Sequence, residues 1–212
     1  MELHVLRVFV DEHGRHGNPL GVVLDGSSVP ASERQAVASE LGFSETVFVD
    51  GSDRGAIRIF TPATELDFAG HPSVGAAWLL GVDVLRPPAG EIAVSRAGEL
   101  TWVLVRAEWG PDFRHLELDS PAAVEAFAAP ARGLEAVWAW IEPGVVRARV
   151  FPVDIGVDED EATGSAAAQL GALVGRELEI RQGRGSIIHV RPRAGGAVQL
   201  GGRVVRDSVS TR

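Results

Sequence analysis

The sequence predicts an α+β fold built from two similar halves, and three observations carry that reading. Apolar, β-branched runs separated by short polar turns fill much of the chain, as strands do. Two helical stretches are apolar on nearly every face and each stops at a glycine, which describes helices surrounded by protein. The layout of strand, loop and apolar helix over 58–81 then recurs over 149–175, so the chain reads as duplicated.

In chain order, LHVLRVFV (3–10) and LGVVL (20–24) flank the turn-rich DEHGRHGNP and form a strand pair. Ser32 followed by Gln35 resembles a capping box, and Gly42 stands where a helix stops. A helix over 33–41 is expected, with Val37 and Leu41 on its buried face. FSETVFV and AIRIF around DGSDRG read as a hairpin. In ELDFAGHPSVGAAWLLG, Gly70 can serve as N-cap, Pro72 fits the first turn and Gly81 permits a left-handed stop, which predicts a helix over 71–80. EIAVS and ELTWVLVRAEW surround the turn RAG, and Ser120-Pro121 opens a short helix that ends before Pro130. The stretch 107–144 has the weakest periodicity. A second apolar helix is expected over 164–174, and GSIIHV and AVQLGG read as closing strands.

Composition narrows the chemistry. The 212 residues, 45% hydrophobic, suffice for a sizeable core. With 29 acidic against 20 basic residues the formal charge is -9, which opposes binding to nucleic acid or to an anionic membrane. No cysteine is present, so disulfides, thiolate metal sites and thiol nucleophiles are excluded. No run of about 18 apolar residues occurs, and the expected setting is the cytoplasm. The histidines show no metal-ligand spacing, no nucleotide-binding or hydrolase motif occurs, and neither a metal nor a cofactor is expected.

Three residue groups remain as candidates. The helix starts at Gly70 and at Thr163-Gly164 lack large side chains, so each offers backbone N–H groups and about half a positive charge to an anion. His71 lies in the first turn of its helix, where the N-terminal field disfavours its protonated form. Asp160 stands just ahead of the second helix within an acidic run, a pattern that also serves merely to complement a helix dipole. In FSETVFV, alternation puts Glu45 on one face with Phe43, Val47 and Val49. If that face is the core, burial raises the carboxyl pKa into the range of a general acid–base; if not, Glu45 is a solvated strand-end carboxylate.

GNPLGVVL, ELGFSETVFV, RIFTPATELDFAGHPSVGAAWLL and RVFPVDIGVDEDEATGSAA, in that order, resemble the PhzF-like phenazine-biosynthesis family, which shares the diaminopimelate epimerase fold. The resemblance implies two lobes, 1–105 and 106–212, each a curved, mostly antiparallel sheet around a central helix, with the active site in the cleft between them. It implies a cofactor-independent isomerase that moves a proton on a small carboxylate-bearing molecule, as in the isomerisation of trans-2,3-dihydro-3-hydroxyanthranilate. Glu45 matches the family's proton-shuttling glutamate, with His71 and Asp160 beside it as catalytic partners. Gly70 and Ser165 match the family's glycine and serine and are expected to contact the substrate, together with Gly164 at the second helix start and with Ser44 and Ser73 beside Glu45 and His71 in their motifs. A homodimer is also implied.

The chain departs from the family pattern in two places. It is short between about 107 and 147, so a reduced second lobe is expected. Glu161 stands where the family commonly has proline. The abbreviated lobe leaves open a non-catalytic small-molecule binding protein, and an acid–base amino-acid epimerase is a further alternative.

Overall fold

In the computed structural model, which describes residues 1–211, strands dominate and four α-helices punctuate them. The strand β1 (Glu2–Val10) pairs antiparallel with β2 (Asn18–Val23), as the opening pair of apolar runs predicts. Helix α1 (Arg34–Leu41) connects to β3 (Thr46–Gly51), which lies parallel to β2. The hairpin of β3 with β4 (Ala56–Phe60) forms as expected, and β5 (Glu65–Leu66) borders it. Helix α2 (Gly70–Leu80) follows, then β6 (Val84–Leu85), β7 (Ile92–Ala97) and β8 (Leu100–Arg106) in successive antiparallel pairs.

The second half repeats the grammar. After β9 (Arg114–Glu117) and α3 (Pro121–Ala126), the hairpin of β10 (Leu134–Glu142) with β11 (Val145–Pro152) precedes α4 (Gly164–Val174), just as β3 and β4 precede α2. Ser120 caps α3 by accepting from the Ala123 N–H, as its place before Pro121 suggests. The chain closes with β12 (Leu178–Gln182), β13 (Ser186–Pro192) and β14 (Ala197–Thr211). One path of strands results: β5-β4-β3-β2-β1-β14-β13-β12-β11-β10-β9. The 15-residue β14 joins its sides: residues 197–202 pair with β8, 198–201 also pair with β13, and 203–211 pair with β1.

Both central helices are core elements. Val74, Ala76 and Ala77 of α2 and Ala167, Ala168 and Leu170 of α4 belong to one apolar cluster with Leu6, Val8, Leu20 and Leu200. Gly81 and Gly175 end these helices with φ of 68° and 72°, the left-handed conformation that a residue without Cβ adopts readily. No helix among the described residues is long and apolar enough to cross a membrane.

Three local expectations need correction. Gly70 is the first helical residue of α2, and Ala69 takes the cap position without a side-chain hydrogen bond. The Ser32 capping box does not form, because the Gln35 amide instead donates to the Thr61 carbonyl on a neighbouring element. On α1, Val37 and Leu41 pack against the core as expected but are only half-buried, and the deeper residues are Ala38 and Arg34. Arg34 tolerates burial because its guanidinium donates to Asp50 and to the Val29 and Gly26 carbonyls.

Candidate active site

The starts of α2 and α4 meet almost backbone to backbone. A Cβ added at Gly164 would lie 2.8 Å from Gly70 Cα and 2.9 Å from His71 N, and one at Gly70 would lie 2.7 Å from Gly164 Cα. Only glycine at both positions permits this approach. Neither helix has a side-chain cap, so the first-turn N–H groups that no helical carbonyl can satisfy are gathered at one place.

Three ionisable groups converge on that junction from separate elements. Glu45 precedes β3, His71 rides on the first turn of α2, and Asp160 sits ahead of α4 with its N–H bonded to the Val150 carbonyl of β11. His71 Nε2 faces Glu45 Oε2 at 3.6 Å, beyond hydrogen-bond reach, and both atoms are buried without a partner. Native proteins seldom leave two such groups unsatisfied and adjacent, so the pair marks a candidate functional site. The Glu45 side chain keeps 18% of its surface accessible, so its orphan oxygen lies at the inner end of a partly open side chain.

Electrostatics separates the three. Burial pushes the Glu45 carboxyl up to about 7, with only the Ser44 hydroxyl opposing. Burial lowers His71 to about 4, opposed by the charge of Asp160 and by a hydrogen bond to the Pro19 carbonyl. His71 is therefore neutral near pH 7, and with its other nitrogen engaged by Pro19, Nε2 carries a free lone pair. Asp160 is also raised, by burial and then by the charge of Glu45, while His71 and hydrogen bonds from Thr163 and Asn18 oppose the rise. Asn18 Nδ2 donates to Oδ1 at 2.8 Å and the Thr163 hydroxyl to Oδ2 at 2.6 Å. Asp160 thus has donors on both oxygens whereas Glu45 Oε2 has none, so when the pair holds one proton it belongs on Glu45.

The other sequence candidates divide. Ser44 lies beside Asn18 at 3.5 Å, and Gly70 and Gly164 form the helix junction. Ser165 is half-buried beneath Gly110, whose added Cβ would approach its Cβ to 2.5 Å. Ser73 is not brought to the junction's surface: it is fully buried and its hydroxyl donates to the Ala69 carbonyl at 2.8 Å, a bond internal to α2. Glu161, the departure from the family's proline, is used rather than idle. Its carboxylate accepts from the Ser186 hydroxyl and from the Arg184 N–H and guanidinium, and Ser186 in turn accepts from the Gly17 N–H. Asn18 and Gln182 were not singled out by the sequence reading; both are buried, and they reach Asp160 from 142 and 22 residues away, which no local pattern encodes. Thr163, read from the sequence only as part of a bare helix start, donates its hydroxyl to Asp160 three residues before it. Among the described residues no group of three or more His, Asp or Glu is placed to hold a metal ion.

Comparison with known proteins places the chain in a family. The family described as "Phenazine biosynthesis-like protein" matches residues 6–132. The chain belongs to that family. It is 31% identical to the trans-2,3-dihydro-3-hydroxyanthranilate isomerase of Pseudomonas fluorescens, over 79% of this chain and 78% of that protein. An uncharacterized isomerase of Mesorhizobium japonicum is 45% identical over 38% of this chain, a match spanning about a third (32%) of that protein's length. A phenazine-biosynthesis PhzC/PhzF protein of Clostridium difficile superposes with a TM-score of 0.84 at 22% identity, covering 100% of this chain and 99% of that one. A probable proline racemase of Agrobacterium radiobacter follows the same fold at a TM-score of 0.65 and 11% identity, covering 100% and 92%. These two likenesses speak for the fold, which is that of the epimerase-like proteins. The PhzF-family relatives support an isomerase.

Proposed function

We propose that this chain is a cofactor-independent isomerase in which Glu45 takes a proton from one carbon of a small, carboxylate-bearing molecule and returns it to another. The observation that carries the reading is the buried, partnerless pair of Glu45 Oε2 and His71 Nε2, 3.6 Å apart beside two uncapped helix starts. A carboxyl group at about 7 is divided between base and acid near neutral pH, so it can both accept and return a proton without a large energetic cost in either step. Neutral His71 offers a lone pair to a hydroxyl or amine of the substrate. Anionic Asp160 holds a second polar group and stabilises positive charge that develops there. The N–H groups of α2 and α4, with Gly70, Gly164 and Ser165, receive the carboxylate.

The name of the Pseudomonas relative makes trans-2,3-dihydro-3-hydroxyanthranilate the first compound to try, and related cyclic or amino acids the next. The two-lobe division at residue 105, a cytoplasmic setting and a homodimer complete this reading. Incubation of the protein with such a panel in deuterated water tests it. Deuterium should enter a carbon-bound position of at least one compound, and the Glu45→Gln variant should slow that entry at least about 10²-fold. A folded protein that binds a compound yet exchanges none of its protons is a binding protein, and deuterium at the α-carbon with inversion of an amino acid marks an epimerase.

A further inference from the structure

Gln182, at the end of β12, is 1% exposed and spends its whole side chain on the approach to α4. Its Oε1 accepts from the Thr163 N–H at 3.2 Å. Its Nε2 donates to the Asp160 carbonyl at 2.9 Å and to Thr163 Oγ1 at 3.0 Å. The last bond has a directional consequence, because a hydroxyl has one proton and its oxygen here already receives one from an amide. The Thr163 proton must point elsewhere, and Asp160 Oδ2 stands 2.6 Å away. With Asn18 Nδ2 on the other oxygen, and itself oriented by its bond to the Ala162 carbonyl, Asp160 meets donors on both sides. A proton on either oxygen would face a donor hydrogen.

We infer that Gln182 is a positioning residue of the site, whose amide turns the Thr163 hydroxyl toward Asp160 and so keeps that buried carboxyl an acceptor. This rests on the proposed role of Asp160 as the anion of the site. The relay runs Gln182 amide, Thr163 hydroxyl, Asp160 carboxylate, and it decides which member of the Glu45 and Asp160 pair holds the proton. Without it the Thr163 hydroxyl is free to donate to another acceptor, and burial together with the charge of Glu45 then favours protonated Asp160. The charged or titratable groups facing Asp160 are Glu45, ahead of β3, and His71, on α2.

The test reads the titration of Asp160 by carboxyl carbon NMR, which needs no substrate and so stands or falls apart from the isomerase reading. Gln182→Met keeps the length and removes the amide. Asp160 should then bind its proton roughly tenfold more tightly, the scale of one hydrogen bond to a charged group. In a Thr163→Val background, where no hydroxyl remains to orient, the same Gln182 change should have little further effect on Asp160, and Thr163→Ser should restore the parent titration. An equal shift in both backgrounds would show that Gln182 acts only by supporting the loop. In the unaltered protein, the Gln182 side-chain amide protons should move with the Asp160 titration and cease to do so in Thr163→Val. Amide signals indifferent to Asp160 in the parent would overturn the relay even if Gln182→Met does not fold.

Discussion

Replacing Glu45 with glutamine should do two opposite things, weakening catalysis and removing a pH-dependent strain on the fold. Burial raises the folded-state carboxyl from 4.5 to about 7, so between those values the unfolded chain has released a proton that the folded one still holds. Folding stability contributed by this group therefore falls as pH rises from about 4.5 and levels off above about 7. The full span corresponds to about 3 kcal/mol. Glutamine keeps the shape and cannot titrate, so the variant lacks this slope, whatever constant cost its amide adds. Urea unfolding of parent and variant at pH 4 and at pH 8 measures the effect: the stability difference should change by up to about 3 kcal/mol in the variant's favour at the higher pH. Proton exchange into substrate should fall at least about 10²-fold, the usual scale of general acid–base catalysis. A stability difference that is the same at both pH values would refute the assignment of a buried, up-shifted carboxyl at this position.

Other predictions address the neighbours. His71 should show a neutral ring with one protonated nitrogen in nitrogen NMR at pH 6, gaining charge only toward about 4. Gly164→Ala forces a Cβ onto the Gly70 and His71 backbone, and should cost about 1–3 kcal/mol in chemical unfolding and displace His71 from Glu45. Light scattering should give twice the chain mass of 22.4 kDa, and a value at the single-chain mass would overturn the proposed homodimer.

The parts of the fold that were legible in the sequence are those whose signals are local. Helices α2 and α4 announced themselves because an apolar run with no polar face has only one stable home, and a glycine at each end fixes its length. The α4 bounds match the expected 164–174. Glu45 was found by an alternation that begins earlier than the strand: β3 starts at Thr46, so the residue is placed by its flanks rather than by strand pairing. What local pattern misread was the choice among distant partners. Gln35 had a capping role open to it three residues from Ser32 and took the Thr61 carbonyl instead. Asn18 looked like part of a turn, yet its partner lies 142 residues away. The stretch around β9 was obscure because that four-residue strand is polar at both ends and gains its place from parallel pairing with β10, which lies beyond α3.

The pairing of β1 with the far part of β14 also sets a schedule for assembly. Arg7 and Asp207, joined by a bidentate ion pair across that seam, are separated by 200 residues. At roughly 5–20 residues per second, β1 leaves the ribosome on the order of ten to forty seconds before its partner exists. During that interval one rim of β1 has no neighbour, and Leu6, Val8 and Phe9 lack part of their cover. The arrival of β14 is the closing stitch that ends this exposure.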